Sequence, residues 1–187
     1  DYEPQSKARD ARVAAELAAL RIGFESFKDQ AIFDGAEVLT QAGRPYSVFT
    51  PYKNAWLKRL GDDDLAAPAG GSGRLAASPL ASGVPALAAL GFRPTDLREL
   101  GILPGLSGAR LCVDDFRERI ARYAEQRNFP AVKGVSYLSV HLRFGTVSIR
   151  ELVSIALANG ELTGEDGAAT WLSELIWRDF YFMILER

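Results

Sequence analysis

Apolar positions along the chain fall first at helical, then at strand-like, then again at helical spacing. Between Ser6 and Leu20, Val13, Leu17 and Leu20 share one side of an Ala-, Arg- and Glu-rich run, which predicts an amphipathic helix ending at Gly23. Phe24 to Phe33 is strand-like, although Ser26-Phe27-Lys28-Asp29 could hold a turn, and a helix followed by a strand predicts the tail of an α/β domain. Residues 34–48 read as a loop. Thr50-Pro51 then predicts a helix start, with Thr50 as N-cap, Pro51 at the first helical position, and Trp56, Leu57 and Leu60 on the apolar side before Gly61.

The periodicity fades over 61–94. Asp62-Asp63-Asp64 gives way to Pro68, Gly70-Gly71-Ser72-Gly73, Pro79, Gly83 and Pro85 among alanines, which is linker composition. It returns at Thr95, which caps a short helix broken by Pro104-Gly105. A longer helix follows from 109 to about 128, with Leu111, Val113, Phe116, Ile120 and Tyr123 inward and Arg117, Arg119, Arg122 and Arg127 as a basic side. Gly134 to Ser139 reads as a loop leading into a helical turn, Val140 to Phe144, stopped by Gly145. Ser148 and Glu151 form a capping box for a helix ending at Asn159-Gly160, and Thr163-Gly164-Glu165-Asp166 offers a similar cap to the last helix. The pattern therefore predicts a mainly α chain: the end of an α/β domain, a long linker, then the first part of an all-helical domain.

The last helix is the most informative. Trp171, Glu174, Arg178, Tyr181 and Leu185 follow one helical stripe, with Leu172, Leu175, Ile176 and Met183 as apolar bulk around it. Charges between aromatics on a core-facing stripe are costly unless paired or matched by a polar ligand. The stripe is thus either the wall of a pocket for a flat heteroaromatic ligand, or a solvated face on which Glu174 and Arg178 pair at i, i+4.

Composition narrows the class without deciding it. Of 187 residues, 48% are hydrophobic and 25% charged, which is globular, and the net charge of -2 gives no global basic field for nucleic acid, although a local patch remains open. Cys112 is the single cysteine, so no internal disulfide forms; it reads as a small core residue of a cytoplasmic protein. No uncharged apolar run is long enough to cross a bilayer. The chain opens on Asp1 rather than Met and stops at Glu186-Arg187 inside an apolar period, so it is expected to be a piece of a longer protein. One histidine, His141, and one cysteine make no metal site, and His141 reads as packed or capping. No nucleophile–base set can be assembled, so demanding chemistry would need a cofactor. The best anion site is the 134–139 loop, where Gly134 permits close backbone approach and Ser136 and Ser139 offer hydroxyls.

Three segments together resemble the DNA photolyase and cryptochrome family. They are Tyr46-Ser47-Val48-Phe49-Thr50-Pro51-Tyr52-Lys53-Asn54-Ala55-Trp56-Leu57, the run from Tyr123 through Gln126-Arg127-Asn128-Phe129-Pro130 to Leu142-Arg143-Phe144-Gly145, and Trp171 to Tyr181. Asp1-Tyr2-Glu3-Pro4 with Arg9-Asp10 fits the late part of that family's antenna domain.

The resemblance implies residues 1–48 as the end of a Rossmann-like antenna domain, 49–94 as connecting helix and linker, and 95–187 as the first part of the helical FAD-binding domain. It implies light-driven repair of cyclobutane pyrimidine dimers in UV-damaged DNA by a monomeric lyase, with electron transfer from reduced FAD and the lesion flipped into the pocket. FAD would be held by Tyr123, the loop Val135, Ser136, Tyr137, Leu138 and Ser139, Trp171 and Arg178. Val135 stands where Thr is usual in the family and Tyr137 where Arg is common. Glu174 and Trp177 would act on the damaged bases, Arg127 would hold the DNA backbone, and Arg178 and Tyr181 would line the same DNA site. A second, antenna chromophore is implied without identity, since Gln5-Ser6 stand where folate-binding members carry Asn-Glu. The family also contains flavin light sensors without repair activity. A non-enzymatic helical interaction module is the alternative outside it. By themselves these 187 residues are expected neither to hold FAD tightly nor to repair DNA.

Overall fold

The last helix is apolar on most of its circumference, and such a helix has to be surrounded. In the computed structural model, which describes residues 2–67, 84–163 and 166–186, neighbours cover it along most of its length and leave Tyr181, Ile184 and Leu185 exposed near its end. The described helices are α1 (Pro4–Ala19), α2 (Phe49–Arg59), α3 (Asp62–Leu65), α4 (Gly105–Arg117), α5 (Tyr123–Gln126), α6 (Ser139–Arg143), α7 (Ile149–Thr163) and α8 (Asp166–Leu185), with 3-10 turns at Leu87–Leu90 and Ile120–Arg122. Helix α7, helix α5 with the turn before it, and α2 all pack on α8. The core joins Ile32, Phe33 and Val38 before α2, Tyr52 and Trp56 on α2, Phe116, Ile120 and Tyr123, and Trp171, Ile176 and Phe180 on α8.

Several expected elements form. The amphipathic helix is α1, the turn before Gly145 is α6, and Gly145 ends it at φ +64°. Ser148 caps α7 by accepting the Arg150 N–H at 3.2 Å, while Glu151 turns to Arg110 at 3.3 Å instead of completing the box.

Others do not. Phe24 to Phe33 forms no strand, and an isolated bridge between Leu39 and Pro45 is the β-pairing seen among the described residues. Helix α2 starts at Phe49 with Val48 as its cap, so Thr50 is not the N-cap. After Thr95 the chain makes a turn closed by Ile102 N–H to Leu97 O at 2.8 Å, with Gly101 at φ +75°, not a helix. The helix expected over 109 to 128 begins at Gly105, breaks after Arg117 and resumes as α5. Helix α7 runs through Gly160 to Thr163. The linker signals from Pro68 to Gly83, and Gly164-Glu165 of the last expected cap, lie outside the described residues. No helix among the described residues is long and apolar enough to cross a membrane.

Candidate functional site

The amino-terminal half of α8 lies against the break between α4 and α5. A Cβ on Gly167 would sit 2.1 Å from the Ala121 carbonyl oxygen, so the close approach requires glycine. It buries Trp171 against Phe116, with ring centroids 4.7 Å apart, and Phe116 meets Tyr123 edge-on at 5.8 Å. One turn further along α8, Glu174 Oε1 accepts a hydrogen bond from Arg127, whose guanidinium lies 5.7 Å from the centre of the Tyr123 ring. The Arg127 and Glu174 side chains remain 32% and 38% exposed. A pair this open is worth about 0–1 kcal/mol and can exchange for ligand contacts. The hydrogen bond to Glu174 raises the Arg127 pKa, and burial, with the nearby Glu174 charge, raises that of the Tyr123 hydroxyl.

The serine loop abuts α5, which carries Tyr123, through Gly134. Gly134 is buried, and a Cβ there would sit 2.5 Å from the Gln126 carbonyl oxygen. The glycine is thus already required by the contact with α5, one residue before Arg127. Leu138, 1% exposed, anchors the loop in the core. Ser136 is half-buried and Ser139 exposed, and neither hydroxyl has a partner among the described residues. Val135 and Tyr137 are exposed, and Tyr137 holds a left-handed backbone at φ +56°, uncommon for a bulky residue.

The second half of α8 faces elsewhere. Trp177 stacks face to face on Phe49, with centroids 3.6 Å apart and planes 7° from parallel, and its ring centre lies 5.4 Å from that of Tyr181. Arg178 donates to the Gln30 carbonyl and sits 4.5 Å from the Phe182 ring centre. Burial lowers the pKa of its guanidinium. Arg178 also lines a cleft of about 470 Å³ with Gln30, Leu142, Phe144, Val147 and Ile149; Glu174 and the serine loop do not line it. The i, i+4 pair of Glu174 with Arg178 therefore does not form: each charge has a partner distant in sequence. The structure brings together Tyr123, Arg127, Trp171 and Glu174, sets the serine loop beside them, groups Trp177 with Tyr181, and turns Arg178 towards the amino-terminal segment.

Asp179 is the residue that the sequence pattern did not single out. Fully buried, its Oδ2 accepts the N–H groups of Ile32 at 3.1 Å and Phe33 at 3.3 Å and the Trp56 indole N–H at 3.0 Å. Oδ1 is buried without a partner among the described residues. Burial pushes the Asp179 carboxyl up to about 6, against the opposing pull of the Trp56 hydrogen bond. The available signal was an acid set directly before Phe180 in an apolar run. His141 is a packed histidine, buried with Nδ1 at 2.8 Å from Thr146 Oγ1.

A family model described as DNA photolyase matches residues 1–69. The chain is 36% identical to the deoxyribodipyrimidine photo-lyase of Escherichia coli, over 96% of this chain and 38% of that protein. It is 33% identical to the deoxyribodipyrimidine photo-lyase of Halobacterium salinarum, over 99% of this chain and 40% of that protein. The crystal structure of a bacterial class III photolyase from Agrobacterium tumefaciens superposes with a TM-score of 0.84 at 26% identity, over 100% of this chain and 39% of that one. The chain thus spans about two fifths of the length of these relatives.

Proposed function

Because the chain belongs to the DNA photolyase family, we propose that the whole protein repairs cyclobutane pyrimidine dimers in DNA with light and reduced FAD. One observation supports this: Gly134, at the start of the serine loop, abuts the Gln126 carbonyl, one residue before the Arg127 that pairs with Glu174. Residues 1–48 then correspond to the end of an antenna domain, 49–94 to the connecting helix and linker, and 95–187 to the first part of the FAD-binding domain.

The donor set fits this cofactor. Hydroxyls and backbone N–H groups suit a diphosphate, and a buried aromatic shelf suits a flavin ring. Ser136 and Ser139 would bind the phosphates through their hydroxyls, Val135, Tyr137 and Leu138 would contribute backbone, and Tyr123 and Trp171 would line the ring pocket. When bound, FAD supplies the photoexcited electron that opens the dimer. Glu174 would hydrogen-bond the damaged bases, which requires a proton on it or shared with it, because a bare carboxylate only accepts. Arg127 would leave Glu174 for a DNA phosphate as the lesion enters, and Trp177 and Tyr181 would pack on the extruded bases. Arg178 would serve from behind, fixing α8 to the amino-terminal segment through Gln30.

The test is flavin absorbance of the purified whole protein and turnover of an oligonucleotide carrying one defined dimer. Glu174→Ala is expected to lower repair per bound flavin by about tenfold or more while flavin content holds. Flavin loss with unchanged repair per flavin would reverse the assignment of Glu174. Flavin retained with no repair in the unaltered protein would make it a light sensor.

A further inference from the structure

The serine loop is fixed from underneath by a residue that the ligand assignments leave out. Arg119 lies where the helix expected over 109 to 128 breaks. Its Nη1 donates to the Lys133 carbonyl and reaches the Val135 carbonyl at 3.4 Å, and its Nη2 lies 3.3 Å from the same Val135 oxygen. These carbonyls flank Gly134 and immediately precede Ser136. Asp115 locks the arrangement: it accepts from Arg119 Nη2 at 2.6 Å and, with its other oxygen, from Lys133 Nζ at 2.8 Å. The Arg119 side chain is 13% exposed and its guanidinium sits 5.5 Å from the Phe116 ring centre, the ring that also carries Trp171. Arg119 Nε is buried without a partner among the described residues, so the outer edge of the guanidinium makes the clamp.

We propose that Arg119, braced by Asp115, is a positioning residue that presets the 134–139 loop so that Ser136 and Ser139 and the loop N–H groups face a diphosphate before it arrives. This rests on the FAD reading above. A planar guanidinium can hold two carbonyls and a carboxylate at once, whereas a lysine ammonium is a point charge that cannot span them in one plane. A loop held ready loses less freedom on binding, so the clamp acts on affinity although it touches no ligand. The exposed, left-handed Tyr137 follows from the same constraint, because the chain has to turn sharply between the clamped carbonyl of Val135 and the core anchor Leu138.

The experiment uses the whole protein with Arg119→Ala, Arg119→Lys and Asp115→Asn, and three readouts. Hydrogen exchange without FAD is expected to speed up over residues 133–139 in Arg119→Ala while α7 and α8 keep their protection. FAD and ADP affinities are expected to fall about tenfold in Arg119→Ala and about threefold in Asp115→Asn, the lysine variant lying between. Melting temperature tells a clamp from a general prop: Asp115→Asn, at a 41% exposed side chain, is expected to melt within a few degrees of the unaltered protein. Unchanged loop exchange and unchanged affinity in Arg119→Ala overturn the inference and leave the FAD reading standing. Should Arg119→Ala fail to fold, Asp115→Asn decides alone, and unaltered FAD affinity there counts against the clamp. An unaltered protein that binds neither FAD nor ADP removes the FAD reading itself, and the exchange data then show separately whether Arg119 orders the loop.

Discussion

Two carboxylates five residues apart on α8 have opposite surroundings. Glu174 looks out over a rim, paired with one guanidinium and over a third exposed. Asp179 is wholly enclosed, with three N–H donors from two segments on a single oxygen. An acid with one open, replaceable partner can trade it for a ligand. An acid with several buried N–H partners fixes architecture, since each donor would lose its bond if the acid moved. The contrast separates a replaceable contact at Glu174 from a structural anchor at Asp179 further along the same helix.

The strongest way to break this division is truncation. Asp179→Ala leaves two backbone N–H groups and an indole N–H buried without an acceptor, and is expected to cost about 3–5 kcal/mol in urea unfolding. Asp179→Asn keeps an acceptor and is expected to cost less. A loss for Asp179→Ala no greater than for Glu174→Ala would erase the distinction.

Acidity gives the next test. The folded pKa of Asp179, about 6, stands above its ordinary 3.8, so the folded state binds its proton more tightly than the unfolded chain. Its contribution to stability is full below the ordinary value and is lost as pH rises through about 6. Stability should therefore fall by on the order of 1 kcal/mol from about pH 5 to pH 7, and Asp179→Asn should flatten that slope. Asp115 has the opposite sign: its pKa is lowered by hydrogen bonds from Lys133 and Arg119, so its contribution fades as pH falls, below this window.

The smallest effect belongs to the rim. A double-mutant cycle on Arg127 and Glu174 should give about 0.5 kcal/mol or less of coupling, shrinking further in salt. A coupling above about 2 kcal/mol would make this pair as structural as Asp179.

What the sequence revealed follows the same line. α1, the turn before Gly145 and the Ser148 cap rest on neighbours within a few residues, and they formed. Phe24 to Phe33 had the pattern of a strand, yet the N–H groups of Ile32 and Phe33 bond a side chain about 147 positions away, which no local pattern encodes. The helix over 109 to 128 had continuous periodicity, yet Gly167 pressed against the Ile120 and Ala121 carbonyls and Arg119 reaching for the loop break it. The i, i+4 spacing of Glu174 and Arg178 was real, but Arg127 and the Gln30 carbonyl took the two charges. Tyr123, Trp171 and the serine loop were legible as types of residue, while the approach of α8 depended on Gly167 and that of the loop to α5 on Gly134.

The face-to-face packing of Phe49 on Trp177 reaches beyond stability. Any planar guest that seeks the occupied face of that indole must first evict the phenyl ring, so α2 would have to yield at its opening turn. Phe49 thus shields one face of Trp177, and indole emission should shift in Phe49→Ala.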